Sequence, residues 1–318
     1  MPDQPLHRPA SGVGLLLYGR IGRFDSGDGQ PFRGRDAHGA SASLIAMCFA
    51  SFHRHVLTPA RQSFAQVDVI AQSWNPEAAS LIDAVYQPQL SLHQKSPTGQ
   101  ALSGCEAAVN DGTRADCLRV RSQMLAIRNV MRLKAQSEAV AGARYAVAFL
   151  ARYDLLWRVD MPWPHAASAL QASNTFLLPR HCLLGSHPSD EEEAKLRRRA
   201  CHGAASDSLV SPSSKDCQAE LCAPRKFSTA QLSQYVLDMW LLTGSEAADR
   251  FGAVGEDAIF LNATVTLAAT RNPWYAGHFY WGHMLHVLMV ASVLFLPLDE
   301  NAHWSLGRFY GTGPSSRL

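Results

Sequence analysis

Seven cysteines occur in the 318 residues, yet no two of them form a Cys-x-x-Cys pair. That absence excludes a zinc ribbon or a thioredoxin-type motif. The sequence also lacks a long apolar run. The longest, residues 287–298, is interrupted by Ser292 and followed by Asp299. A bilayer span needs about 20 apolar residues, so this is a core segment. Charge bias is missing too. There are 29 Lys+Arg against 27 Asp+Glu, a formal +2, which leaves no global footprint for nucleic acid or an anionic membrane. Charged residues make up only 18% and apolar residues 47%, so a large buried core is expected and disorder of the whole chain is excluded. The first ten residues are polar, and the first apolar run, 13–18, is too short for a signal-peptide core. The chain reads as soluble, with or without an anchor upstream.

What is present is an alternation of strand and helix patterns. Gly14-Leu-Leu-Leu-Tyr18 reads as a buried strand entering a Gly19-Arg-Ile-Gly22 turn. Residues 44–56 carry helical spacing, with Pro59 as the expected stop. Residues 67–71 read as a strand, 76–85 as a short helix and 90–93 as a short strand. Residues 121–141 read as a long helix closed by Gly142, with Arg128, Arg132 and Lys134 on its polar side. Residues 145–150 are apolar throughout, as a strand covered on both faces requires. Further strands are expected at 174–178 and 236–242, then helices at 246–251 and 258–269. Residues 284–298 fit either helix or strand. Segments 25–43, 95–116 and 182–225 read as surface insertions. The last holds Cys182, Cys201, Cys217 and Cys222, whose pairing the spacing leaves open; Cys48 reads as a core residue. The pattern specifies an α/β fold, with a mostly parallel central sheet flanked by helices.

In such sheets, ligands bind at the carboxyl ends of the strands. Three ends carry polar residues. After Tyr18 come Gly19, Arg20, Gly22 and Arg23. Glycines let a ligand approach the backbone, and arginines grip phosphates. The Gly-Lys-Ser/Thr ending of a P-loop is absent, as is the third glycine of a dinucleotide fingerprint. After Ile70 come Gln72, Ser73, Trp74 and Asn75, where Trp74 would stack on a base or cap the core. After Leu150 comes Arg152-Tyr-Asp154. Asp154 would ligate a phosphate-bridging cation, or pair with Arg152 or Arg158. His278, His283 and His286 sit in an aromatic setting and read as core or acceptor-pocket residues. No His-Glu-x-x-His is present.

Four stretches together resemble a nucleotide-sugar glycosyltransferase of the GT-A type, of the cell-surface polysaccharide and Golgi-type enzymes. They are Leu15-Leu-Leu-Tyr-Gly-Arg20, Val67-Asp-Val-Ile-Ala-Gln-Ser-Trp-Asn75, residues 145–157 behind the helix carrying Ser122, Arg128 and Lys134, and residues 237–248. The resemblance implies one GT-A-like domain over residues 11–300, with flexible termini at 1–10 and 311–318. It implies a nucleotide sugar donor and a carbohydrate or glycoconjugate acceptor, with no nucleic acid partner. Gly19, Arg20, Ser73, Trp74, Asn75, Arg128 and Arg152 would hold the nucleotide. In the family an Asp-x-Asp element carries Mn2+ or Mg2+; here only Asp154 remains of it, with Asp160 six residues on. Arg152 would otherwise bring positive charge to the diphosphate. Glu256 or Asp257 would be the base toward the acceptor. The family setting is the Golgi lumen, the alternative the cytoplasm. Two other readings fit the same residues: a binder of the same fold without turnover, and an α/β scaffold whose strand ends are structural.

Overall fold

The computed structural model describes residues 12–21, 42–97, 105, 111–172, 174–179, 236, 238–253, 256, 259, 276–296, 298 and 303–306. The strands are β1 (Gly12–Gly19), β2 (Gln66–Ser73), β3 (Leu90–His93), β4 (Val147–Arg152), β5 (Leu155–Trp157), β6 (Thr175–Pro179), β7 (Trp240–Thr243), β8 (Ser292–Leu296) and β9 (Trp304–Leu306). The helices are α1 (Ala42–Phe52), α2 (Thr58–Ser63), α3 (Ala79–Tyr86), α4 (Asp111–Ala141), α5 (Trp163–Ala169), α6 (Ser245–Gly252) and α7 (Ala276–His283).

Seven strands form one sheet in the order β3-β2-β1-β4-β7-β6-β8. Every neighbour pair is parallel except the two made by β7. This is the expected mostly parallel sheet, and helices cover both of its faces. Val13, Leu15 and Leu17 of β1 face a core built with α1, α2, α3 and α5. Leu16 and Tyr18 face a second core built with α4, α6 and α7. Burial on both faces is why β1 is apolar throughout rather than alternating. Gly14 is required on the α4 side, because a Cβ there would meet the Tyr145 ring at 2.9 Å.

Three expectations are corrected. Pro59 does not stop the first helix. Residues His53–Leu57 form a π-turn that carries the chain into α2, with Pro59 in its first turn. Proline cannot donate to the carbonyl of His55, but Met161 N–H does so at 2.8 Å, and Trp163 Nε1–H donates to Val56 O at 3.0 Å. The helical bonds lost around the proline are thus replaced from the α5 side. Next, α4 begins at Asp111, ten residues before the expected start, and takes the end of the expected 95–116 insertion. A disulfide between Cys105 and Cys117 fastens that beginning. Last, Lys134 does not lie on a solvated face but is fully buried. Residues 284–298 turn out to be both of their alternatives, a π-turn at Met284–Leu288 followed by β8. Residues 182–225 and all but Ile259 of the expected 258–269 helix lie outside the described residues.

Candidate functional site

Strand β1 is the branching point of the sheet. The chain leaves β1 for β2 and β3 on one side, then returns through α4 to β4 on the other. By the general rule for open α/β sheets, connections diverging in this way mark the place for a ligand crevice, here at the carboxyl ends of β1 and β4. Phe149 anchors β4 there, its ring 5.8 Å from Trp157, 5.6 Å from Trp163 and 6.1 Å from Trp240. Burying a large side chain of this kind stabilises by about 1.5–3 kcal/mol, so the exit of β4 is firmly placed.

The turn after β1 is held by the end of β2. Trp74 N–H donates to Gly19 O at 2.9 Å, Gly19 N–H to Gln72 Oε1 at 3.3 Å, and Ile21 N–H to Asn75 Oδ1 at 2.8 Å. Gly19 has φ +102°, a left-handed conformation that favours glycine, and a Cβ there would meet nothing within 4 Å among the described residues. Among those residues the backbone at Gly19 is open, and the half-buried Arg20 follows it. Gln72 is fully buried, and its Nε2 has no hydrogen-bond partner among the described residues. An unmatched buried donor beside an open backbone is what a ligand acceptor would complete.

Two further strand ends close the cluster. Tyr18 O–H donates to Asp238 O at 3.1 Å, just before β7, and Gln123 Nε2 of α4 reaches both Asp238 O at 3.0 Å and Tyr18 Oη at 3.2 Å. Burial pushes the Tyr18 hydroxyl far above its ordinary value, so it stays a neutral donor. At the end of β4, Arg152 grips Asp154 in a fork, Nε to Oδ1 and Nη2 to Oδ2, both at 2.8 Å. Burial pulls the Arg152 pKa down, but the adjacent Asp154 outweighs it and keeps the guanidinium charged. Cys48 of α1, free and buried, has its thiol pushed up to about 12 by burial and then by the Asp154 charge.

Asp154 can be tested as a cation ligand. It is fully buried, and both its oxygens already accept from Arg152. A divalent ion would have to displace that guanidinium or sit beside its positive charge. Asp160 turns instead to His55 Nδ1 at 2.7 Å. Among the described residues no three His, Cys, Asp or Glu side chains converge. This donor set, as arranged, does not fit Mn2+ or Mg2+.

Of the residues singled out in the sequence, Gly19, Arg20, Ser73, Trp74, Asn75, Arg152 and Asp154 come together at this edge. Trp74 is buried in the α4-side core. Arg128 is half-buried on α4, one and a half turns further from the edge than Gln123. Glu256 is exposed beyond α6, and Asp257 lies outside the described residues. His283 is buried. Sequence reasoning named Gln72 at its strand end without giving it a role, and passed over Asp83, His93, Gln123 and Asp238. His93 was findable, being a polar residue at a strand end like the others. Gln123 and Asp238 carry no such signal.

No family model and no curated protein matches the sequence. Among solved structures, the chain is similar to mouse xyloside xylosyltransferase 1, crystallised in its apo form. The TM-score is 0.38 and the identity 9%, over 91% of this chain and 85% of that one.

Proposed function

We propose that the chain binds a nucleoside diphosphate sugar at the β1–β4 crevice and transfers the sugar to a carbohydrate or glycoconjugate hydroxyl. The observation that carries this reading is the convergence of the β1 and β2 ends. An open backbone at Gly19, an arginine at Arg20 and the unmatched Gln72 Nε2 lie together where the sheet connections diverge. Gln72 and the Gly19–Ile21 backbone would meet the nucleoside, and Arg20 the diphosphate. In the transfer, the acceptor oxygen forms a bond to the sugar C1. The C1–O bond to diphosphate breaks, and the nucleoside diphosphate leaves with the electron pair. The acceptor proton passes to a carboxylate, for which Glu256 and Asp257 are the candidates. Arg20 would steady the negative charge gathering on the leaving group. Arg152 contributes less net charge, because Asp154 neutralises it. The Cys105–Cys117 disulfide supports an oxidising setting such as the Golgi lumen.

A second reading, binding without turnover, is favoured by one observation: the Arg152–Asp154 pair is closed on itself and buried. Thermal-shift measurements with UDP, GDP and CMP, each with and without manganese, test both. A shift with one diphosphate, independent of manganese and lost in Arg20→Ala, is the expected result. Release of free sugar or a glycosylated acceptor from the matching donor then separates transfer from binding. No shift with any nucleotide would overturn both readings.

A further inference from the structure

Ser73, His93 and Asp83 form a continuous hydrogen-bonded chain that ends at the crevice. Ser73 and His93 are register partners at the last rungs of β2 and β3, so their side chains lie side by side on one face. Ser73 Oγ is 2.7 Å from His93 Nδ1, and His93 Nε2 is 2.9 Å from Asp83 Oδ1 on α3.

The proton positions follow from chemistry. A carboxylate only accepts, so Nε2 carries the hydrogen toward Asp83. In a neutral ring Nδ1 is then an acceptor, and the Ser73 hydroxyl donates to it. A lone pair of Ser73 Oγ is left for Asn75 N–H, at 3.3 Å. Asn75 Oδ1 in turn accepts from Ile21 N–H, and Asn75 Nδ2 donates sideways to Glu77 Oε1 at 2.9 Å. From Ile21 N–H through Asn75 N–H, the Ser73 hydroxyl and His93 Nε2–H, the donors point the same way, from the crevice toward Asp83.

A serine, a histidine and an aspartate in line suggest acyl transfer, but Ser73 has no exposed surface. A nucleophile must reach its substrate, and this hydroxyl cannot. Asp83, by contrast, is 44% exposed, so the far end of the chain lies in water.

We propose that Asp83 and His93 are positioning residues. They orient the Ser73 hydroxyl, which orients Asn75, which holds the Gly19–Ile21 turn in the shape that receives a nucleoside diphosphate. This proposal rests on the nucleotide reading for its ligand, but not for the turn itself.

The test uses the full chain with Asp83→Leu and Asp83→Asn. Asparagine keeps an oxygen that accepts from Nε2–H, whereas leucine removes the acceptor and frees the ring tautomer. Asp83 is half in solvent, so both variants are expected to melt with the wild type. In Asp83→Leu the Ile21 amide, followed by hydrogen exchange, is expected to exchange about tenfold faster, and UDP or GDP to bind about tenfold more weakly. Asp83→Asn is expected to restore both. Nitrogen-15 shifts of His93 in the wild type are expected to show an unprotonated Nδ1. A protonated Nδ1, wild-type exchange in Asp83→Leu, or Asp83→Asn behaving as Asp83→Leu would overturn the relay. If neither nucleotide binds the wild type, the nucleotide reading falls, and the Ile21 exchange alone decides whether the relay holds the turn.

Discussion

The two ends of the sheet are built on opposite principles, and α4 runs past both. At the amino end of the parallel strands the polar groups are matched to one another. Lys134 Nζ lies 2.9 Å from Glu138 Oε2 and 2.8 Å from Asp249 Oδ1. The other Glu138 oxygen accepts from Tyr145 N–H and from the Ser245 hydroxyl. Tyr145 O–H donates to Asp68 at 2.8 Å. At the carboxyl end, one helix end away, Gln72 keeps a donor unmatched among the described residues, and Gly19 a left-handed backbone that is open among them. A buried charge network with every group answered fixes how α4 and α6 dock. An incompletely answered one costs stability. On the nucleotide reading proposed above, the difference separates scaffold from site.

Breaking the closed end should have the largest effect. Lys134→Met leaves the buried Glu138 without its cation, while Asp249 keeps only the more exposed Arg144 at 3.5 Å, and a loss of about 3–5 kcal/mol in urea unfolding is expected. Nucleotide affinity of the folded fraction should stay as in the wild type.

Asp154→Ala strands the Arg152 guanidinium and is expected to cost about 3 kcal/mol by the same measurement. Replacing both, Arg152→Met with Asp154→Leu, should recover most of that loss if the pair is structural. A recovered fold that no longer binds nucleotide would show that the pair also serves the crevice.

Changes at the open end should reverse the pattern. Gly19→Ala is expected to lose about 1 kcal/mol to backbone strain. Arg20→Ala is expected to cost less stability than either change described above for Lys134 or Asp154. The same variant should weaken diphosphate binding about tenfold, as loss of a charged hydrogen bond does, measurable by calorimetry.

The smallest effect concerns pH. His283 is buried, and burial lowers its pKa below the ordinary 6.5. Below 6.5 the unfolded chain binds the proton that the folded chain refuses. The stability contributed by neutral His283 is therefore complete above pH 6.5 and is lost as pH falls through it. The melting temperature should drop between pH 7 and 5, and the drop should shrink in His283→Gln.

Much of this architecture was legible beforehand. Continuous apolar runs marked β1 and β4 as buried on both faces, because no alternating pattern can be covered twice. Leu90–His93 and the helix after Gly244 were readable from local patterning and from the turn. Pro59 misled, since its effect on a helix depends on whether a distant group answers the carbonyl it abandons. Lys134 misled for a like reason: helical spacing reports which residues share a face, but not that Asp249 would come to meet the charge there.

The sequence alone determined the strand-and-helix alternation and which strand ends carry polar residues, because both follow from short-range periodicity. Only the tertiary structure decided that Arg152 and Asp154 close on each other, that Gln72 is left with a donor to give, and that Ser73, His93 and Asp83 line up. The Arg152–Asp154 pair is local and was one of the alternatives open in the sequence; the other relations join residues of different strands and helices, and their distances are set by packing between elements that no local pattern encodes.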